Sequence, residues 1–211
     1  MSNRKTPIVA LVYDFDGTLS DTYPVVTRVL LDILREHGIE EDFDRAYAYL
    51  KQSYGVAVRQ YDIGMEPKAF GKLLGERAAA AAVTSEQKPF PEALELLKSA
   101  AEQGKRNFIY THSGKYVHDV IEAWGFAPYV TFMLDSSYNF PRKPDPAALN
   151  YLIGRFDIDP ATALMIGDRD IDIDVGHNAG MAGCLFDTGN YYPDCRAEFR
   201  VNDLLEIKKL F

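Results

Sequence analysis

Short, continuously apolar runs alternate with amphipathic segments along most of the chain. The runs are Ile8–Tyr13, Phe108–Tyr110, Thr131–Leu134, Ala163–Ile166 and Cys184–Phe186. Such runs are typical of strands buried on both faces, as in parallel sheets. Segments with helical spacing and helix start or stop residues lie between them, at 91–104, 115–124, 146–156 and from about Asp172 to Gly180. The alternation predicts an α/β protein with a Rossmann-like, doubly wound parallel sheet.

Residues 21–88 lack such apolar runs and follow helical spacing throughout. The clearest apolar stripe extends from Val25 to Leu34, and helical segments follow at 43–50, 56–63 and 67–83. This block is either a helical bundle that contributes to the main core or a separate helical insert. The change of period at both flanks favours the insert. We therefore expect an α/β core of residues 1–20 and 89–211, with a helical domain at 21–88.

Composition and charge narrow the class of protein. Of the 211 residues, 47% are hydrophobic, so we expect a sizeable core. The 31 acidic and 23 basic residues give a net charge of −8. This charge argues against nucleic acid or an anionic membrane as the main partner, but not against a small phosphorylated ligand. The two cysteines form no CxxC pattern, and no apolar stretch reaches the length of a signal peptide or a membrane span. We expect a cytoplasmic protein, and the sequence gives no oligomeric state.

Two carboxylates stand directly after the first predicted strand, in the segment Asp-Phe-Asp-Gly-Thr at 14–18. Residues two apart in a strand point to the same side, so Asp14 and Asp16 face one region. That region is the edge where open α/β sheets bind ligands. Two carboxylates so close repel each other and need a cation or a proton between them. A solvated acidic turn is the alternative interpretation.

Further polar residues follow the later strands. Thr111 ends the second strand, and a hydroxyl there suits a phosphate oxygen, although helix capping is an equal alternative. Lys143 precedes a proline that restrains its backbone. A fixed ammonium at this position would neutralise carboxylates or a phosphate, unless Lys143 is an ordinary surface lysine.

A second acidic segment, Gly-Asp-Arg-Asp-Ile-Asp at 167–172, follows the fourth strand. It adds carboxylates at the same edge of the sheet, with Asp168 and Asp172 as the expected inward pair. Asp170 and Asp174 are expected to be solvated acids at the start of a helix. Oxygen ligands at this density suit Mg²⁺, and the lack of soft ligands argues against zinc or iron.

In this order and after these strands, the motifs resemble those of the haloacid dehalogenase superfamily of hydrolases. The resemblance is to the phosphatase branch with a small helical cap after the first motif, and it covers essentially the whole chain. It depends on the residues at 14–19, on Lys-Pro-Asp-Pro at 143–146, and on Gly-Asp at 167–168 with Asp172. It implies that residues 21–88 form the cap domain.

The resemblance also implies catalytic and metal-binding roles. Asp14 would be the nucleophile that forms an aspartyl-phosphate, and Asp16 would be the general acid and then the general base. Asp14, the backbone carbonyl of Asp16, and Asp168 would hold Mg²⁺, with Asp172 as a further ligand or next to one. Since dehalogenating and phosphonate-cleaving relatives lack an acid at the position of Asp16, its presence favours phosphate esters.

Other matched positions would bind the substrate. Thr111 and Lys143 would hold the transferring phosphoryl group, with Gly17, His112 and Ser113 beside it. Many relatives carry asparagine where this chain has His112. The histidine is either a neutral neighbour of the helix start or a substrate contact with a pH response near its usual pKa of about 6.5.

In the cap, a loop between the first two helices would face the active site, at 53–56 in this chain. Tyr54 and Arg59 are the candidate substrate contacts there. Lys51 is a further one, although solvated helix charges are the favoured interpretation of Lys51 and Arg59.

Taken together, the resemblance implies a Mg²⁺-dependent phosphatase acting on a small phosphorylated metabolite of the phosphoglycolate or sugar phosphate type. One alternative is a phosphomutase of the β-phosphoglucomutase type. The other is a regulator that binds a phosphorylated ligand without turnover.

Overall fold

The computed structural model describes residues 7–83 and 87–211, which form two compact units. One unit contains the chain up to Leu19 together with Pro89–Phe211, and the other is Ser20–Lys88. Residues 1–6 and 84–86, which the sequence predictions assign to the core and the insert, lie outside the described residues. In chain order the elements are β1 (Ala10–Tyr13), β2 (Ser20–Asp21), α1 (Tyr23–Glu36), α2 (Phe43–Gln52), α3 (Tyr54–Val58), α4 (Pro67–Val83), β3 (Lys88–Pro89), α5 (Ala93–Glu102), β4 (Arg106–Tyr110), α6 (Tyr116–Ala123), β5 (Phe132–Leu134), α7 (Ala147–Phe156), β6 (Ala163–Gly167), α8 (Asp170–Asn178), β7 (Ala182–Phe186) and β8 (Phe199–Val201).

The α/β unit is built on a six-stranded sheet in the order β5-β4-β1-β6-β7-β8, with every neighbouring pair parallel. The register places Tyr13 of β1 beside Ile109 of β4 and Ile166 of β6. These three central strands therefore end level with one another. The side chains that follow them share one edge of the sheet, and the predicted fold class is confirmed.

Burial on both faces explains why the strands are continuously apolar. All four residues of β1 are fully buried. Leu11 and Tyr13 pack on one face in a cluster with residues of α5 and α6, whereas Ala10 and Val12 pack on the other face in a cluster with residues of α7 and α8. A polar group buried here costs free energy unless it finds a hydrogen-bond partner, as the Tyr13 hydroxyl does by donating to Asn107 Oδ1.

Two elements of this unit differ from the sequence predictions. The sequence pattern did not predict β8, because a three-residue edge strand with an exposed Arg200 has too few positions to show a period. Helix α8 begins at Asp170 rather than at about Asp172. The carboxylate of Asp172 accepts a hydrogen bond from the backbone N–H of Arg169 at 3.2 Å, which fixes the first turn two residues earlier.

The helical unit has an apolar core of its own. Leu30 and Leu34 of α1, one turn apart, are fully buried in the same cluster as Phe70 and Leu74 of α4. Side-chain oxygens cap the shorter helices: Asp42 accepts from the N–H of Arg45 at the start of α2, and Ser53 accepts from that of Val56 at the start of α3. Within the described ranges, no helix combines the length and apolarity required to cross a bilayer.

The placement of segment 53–56 in this unit corrects one prediction. We expected this segment to be the loop between the first two cap helices. The structure instead makes that connection with residues 37–42, and Ser53 joins the second helix to the third. The Ser53 cap starts α3 at Tyr54, so the expected loop is mostly helix.

Two helical glycines provide a test of how tightly the α/β unit is packed. A Cβ on Gly176 of α8 would lie 2.7 Å from the Cβ of Met165, whereas a Cβ on Gly154 of α7 would have no neighbour within 4 Å. We expect Gly176→Ala to destabilise the protein by about 1–3 kcal/mol. The matched Gly154→Ala should instead stabilise it by about 0.5–1 kcal/mol. Urea unfolding of both variants measures the difference, and equal effects would contradict close packing of α8 on β6.

Candidate active site

Asp14 and Asp16 occupy the turn that follows β1. The chain turns back at once, because the N–H of Leu19 donates to the carbonyl of Phe15 at 3.0 Å. Gly17 has a φ of 89°, a left-handed conformation that favours glycine. The turn leaves the Asp14 side chain buried at the strand end and that of Asp16 half-buried.

Lys143 lies in the middle of the buried charges. Its ammonium donates to Asp14 Oδ1 at 2.5 Å, to Asp172 Oδ1 at 2.8 Å and to the carbonyl of Tyr110 at 3.2 Å. It also lies 4.6 Å from the centre of the Tyr110 ring. Three acceptors match the three N–H donors of an ammonium, so Lys143 is held in one orientation. It is only 4% exposed and is not a surface lysine.

Three carboxylates form a group with the spacing of metal ligands. Asp14, Asp168 and Asp172 are all buried, and one oxygen of each lies within 4.8 Å of the others. The second oxygen of Asp14 is buried, and none of the described residues donates a hydrogen bond to it. Three carboxylates beside a single lysine leave negative charge that a hard divalent cation would neutralise. The residues present therefore fit such an ion.

Gly167 allows this group to assemble. A Cβ on Gly167 would lie 2.2 Å from the Cβ of Asp172, so any other residue would displace that aspartate. Asp172 is in the first turn of α8, fully buried, while Asp170 and Asp174 on the same helix are exposed. The spacing of the acidic segment thus directs Asp168 and Asp172 inward.

The environment shifts the ionisation of these groups in opposite directions. Burial raises the pKa of Asp14, and although Lys143 lowers it, Asp172 and Asp168 add to the rise. Burial alone would lower the pKa of Lys143, but Asp14 and Asp172 raise it above its usual range. Burial would raise the pKa of Asp172, but Lys143 and Arg169 lower it. Lys143 is therefore cationic, and of the two carboxylates that it contacts, Asp14 is the one whose charge needs a further cation.

The segment after β4 surrounds the carboxylate of Asp16. Ser113 Oγ donates to Asp16 Oδ2 at 2.6 Å, and Thr111 Oγ1 donates to the same oxygen at 3.4 Å. Thr111 Oγ1 also accepts from the N–H of Ser113 at 3.0 Å. The structure thus places Thr111 and Ser113, predicted to contact substrate, on Asp16. Asp14 and Asp16 have different partners, an ammonium for one and hydroxyls for the other.

His112 is a neutral acceptor. Its Nε2 accepts a hydrogen bond from the backbone N–H of Lys143 at 3.2 Å, and its ring meets that of Tyr110 edge-on. Burial and the positive charges of Lys143 and Arg142 lower the pKa of His112 to about 4. The pH response near 6.5 considered from the sequence is therefore wrong, because the folded protein disfavours the charged ring.

The candidate residues Tyr54, Arg59 and Lys51 are described within the helical unit. Tyr54 starts α3 and packs against the core of that unit, and Arg59 is exposed at the end of the same helix. Lys51 is 5% exposed, with its ammonium 4.3 Å from the centre of the Tyr23 ring. The interpretation of Lys51 as a solvated helix charge is therefore wrong.

Sequence reasoning missed two residues near the site. Tyr116 donates from its hydroxyl to Ser113 Oγ at 3.2 Å. Arg169 is close enough to lower the pKa values of both Asp14 and Asp172. Each had a signal in the sequence: Tyr116 stands three residues after Ser113 at a helix start, and Arg169 directly follows Asp168.

The parallel α/β sheet, with carboxylates and a buried lysine at the ends of its central strands, has the arrangement that the motifs imply for a hydrolase. The chain belongs to the haloacid dehalogenase-like hydrolase family, whose model matches residues 11–186. This confirms the resemblance found in the motifs.

The chain is also similar to individual phosphatases and hydrolases. The chain is 25% identical over 187 residues to a phosphoglycolate phosphatase of Haemophilus influenzae, which covers 81% of both chains. It is 26% identical over 216 residues to an N-acetylmuramic acid 6-phosphate phosphatase of Pseudomonas putida, covering 95% of both. The structure of a hydrolase from Streptococcus pneumoniae is 31% identical, with a TM-score of 0.65, and covers 86% of this chain and 94% of the other. The predicted class, a phosphoric monoester hydrolase, is confirmed.

The depressed pKa of His112 predicts a pH dependence of stability. The unfolded chain binds a proton at His112 near pH 6.5, whereas the folded chain does so only near pH 4. This contribution to stability is present above pH 6.5 and is lost as the pH falls from 6.5 towards 4. Urea unfolding at pH 7 and pH 5 should therefore show a smaller loss for His112→Asn than for the wild type.

His37→Asn, in the helical unit, controls for the removal of one histidine. An equal loss of stability in His112→Asn and the wild type would contradict a neutral, buried His112.

Proposed function

We propose that this chain is a Mg²⁺-dependent phosphatase that hydrolyses a small phosphate monoester through an aspartyl-phosphate on Asp14. The observation that carries the proposal is the placement of buried Asp14 between a fixed ammonium and two further carboxylates. Phosphoryl transfer depends mainly on positioning and charge neutralisation, and this arrangement favours both. Asp16, held apart by hydroxyl groups, is suited to a separate task in proton transfer.

In this proposal, the carboxylates of Asp14 and Asp168 and the backbone carbonyl of Asp16 hold Mg²⁺, with Asp172 beside them. The bound ion neutralises charge on the carboxylates and on the phosphoryl oxygens. Lys143 supplies a second positive charge to the same oxygens, and its three hydrogen bonds keep it in place.

Asp14 and Asp16 have different tasks in the two chemical steps. The Asp14 carboxylate attacks phosphorus, the bond to the ester oxygen breaks, and Asp16 gives its proton to the departing oxygen. A water molecule then attacks the phosphorus of the aspartyl-phosphate, and Asp16 takes a proton from it. Inorganic phosphate leaves and the Asp14 carboxylate is restored.

In this proposal, the helical unit acts as a cap that selects the substrate, with Tyr54 and Arg59 as its contacts. The residues beside the phosphoryl group are Gly17, Thr111, His112 and Ser113. Phosphoglycolate and N-acetylmuramic acid 6-phosphate, for which the two relatives are named, both carry a carboxylate as well as a phosphate ester. We therefore propose that the substrate is a phosphorylated carboxylic acid. The exposed guanidinium of Arg59 suits that carboxylate.

Phosphate release from a panel of phosphorylated metabolites tests the proposed reaction. We expect multiple turnovers with Mg²⁺ and none with a chelator. Asp14→Asn should lower kcat by at least about 1,000-fold because it removes the nucleophile. Asp174→Asn removes an exposed acid on α8, close in sequence to Asp172, and should keep its activity.

Three results would contradict this proposal. Full activity of Asp14→Asn would exclude its role as the nucleophile. Mg²⁺-dependent binding without turnover would favour a regulator. Isomerisation of a sugar phosphate with the phosphate retained would favour a mutase.

Two matched pairs of esters test the substrate class. N-acetylglucosamine 6-phosphate differs from N-acetylmuramic acid 6-phosphate in lacking the lactyl carboxylate, and 2-hydroxyethyl phosphate is the neutral counterpart of phosphoglycolate. We expect kcat/KM to be at least about tenfold higher for the acid in one pair, because a charged hydrogen bond contributes that much. Arg59→Met should reduce this ratio. Equal kcat/KM within both pairs would contradict recognition of a carboxylate.

A further inference from the structure

A chain of two hydrogen bonds connects α6 to Asp16. The Tyr116 hydroxyl donates to Ser113 Oγ at 3.2 Å, and Ser113 Oγ donates to Asp16 Oδ2 at 2.6 Å. A serine hydroxyl has one proton and can also accept. Because Ser113 accepts from Tyr116, its own proton is directed to the carboxylate of Asp16. The hydrogen bond from Tyr116 thus fixes the rotation of the Ser113 hydroxyl.

Helix α6 is well placed to hold this hydroxyl still. The Tyr116 ring packs against the buried cluster that contains Phe15, the residue between Asp14 and Asp16. Beyond the other end of the helix, Trp124 stacks on Phe15 with ring centres 5.8 Å apart and an interplanar angle of 18°. The α6 segment therefore interacts with the Asp14–Asp16 turn at two points. Trp124 stacks on Phe15, and Tyr116 is hydrogen-bonded through Ser113 to Asp16.

Tyr116 keeps its proton under ordinary conditions. Burial and the nearby charge of Asp16 raise the pKa of Tyr116 to about 12. A phenol that stays neutral remains a donor, so the direction of the two hydrogen bonds is preserved across the neutral range.

We propose that Tyr116 is a positioning residue that, through Ser113, holds the carboxylate of Asp16 in the orientation for proton transfer. Its hydroxyl donates to Ser113 and Ser113 donates to Asp16, so the proposed effect of Tyr116 on Asp16 passes through Ser113. The inference rests on the proposed function, because it assigns Tyr116 a part in the step performed by Asp16.

Tyr116→Phe is the direct test, because it removes the hydroxyl and keeps the packed ring. Phenyl phosphate and 4-nitrophenyl phosphate are the probes, since they differ little in shape but phenol is the poorer leaving group and needs more help from an acid. We expect kcat for phenyl phosphate to fall about three- to tenfold, the range of one hydrogen bond. The fall for 4-nitrophenyl phosphate should be smaller, and KM for both should stay unchanged.

Two further sets of variants separate positioning from a general structural effect. Tyr129→Phe removes a hydroxyl from another tyrosine that packs against the same cluster, and it should leave both values of kcat unchanged. In a Ser113→Ala background, adding Tyr116→Phe should have no further effect, because the path to Asp16 is already cut. Ser113→Thr, which keeps a hydroxyl, should restore part of the lost kcat.

Different outcomes would overturn the proposed phosphatase function and the positioning role of Tyr116. A wild type inactive on both esters and on the metabolite panel would overturn the proposed function and the inference with it. An active wild type with an unchanged ratio of the two kcat values in Tyr116→Phe would overturn only the inference. So would a loss of the same size with and without Ser113, since Tyr116 would then act by another path.

Discussion

Three buried carboxylates share a single buried ammonium at one edge of the sheet, and the α/β unit is organised by that imbalance of charge. Buried charges are costly unless they are paired and hydrogen-bonded. Lys143 compensates part of the cost by donating to Asp14 and Asp172 together. Of these two carboxylates, Asp14 keeps a cost of ionisation that Lys143 does not offset, because its pKa is raised. The site thus carries negative charge that Lys143 does not fully neutralise. In the proposed function, a divalent cation and a phosphate ester would bind at this position.

The same edge separates two aspartates that are only two residues apart. Asp14 lies among charged groups in the buried interior, whereas half-buried Asp16 accepts from neutral hydroxyls on the segment after β4. Different surroundings are what allow two carboxylates to perform different tasks in one reaction. The turn containing Phe15 and Gly17 produces this separation. Asp14 directly follows β1, whereas the turn directs Asp16 towards the segment after β4. In the proposed mechanism, local chain geometry therefore distinguishes the nucleophile from the proton donor, since both are aspartates.

Much of this could be predicted from the sequence because its signals are local. The apolar run before Asp14 predicts a buried strand, and level ends of parallel strands bring Asp14, Thr111 and Asp168 to one edge. Contacts that depend on side-chain packing could not be predicted in this way. Nothing in the order of residues shows that His112 accepts from the backbone of Lys143 and stays neutral, or that Lys51 is buried on Tyr23. The three-residue β8 escaped prediction because its pairing with β7, rather than its own pattern, makes it a strand.

The stereochemistry of transfer at phosphorus distinguishes attack by Asp14 from direct attack by water. Hydrolysis of an ester whose phosphoryl group is made chiral with oxygen isotopes, in water of the appropriate isotope, reports the number of displacements. Attack by Asp14 followed by attack of water gives two in-line displacements, so we expect retention of configuration. Inversion would mean that water attacks the ester directly. It would show that Asp14 serves the reaction only through its charge.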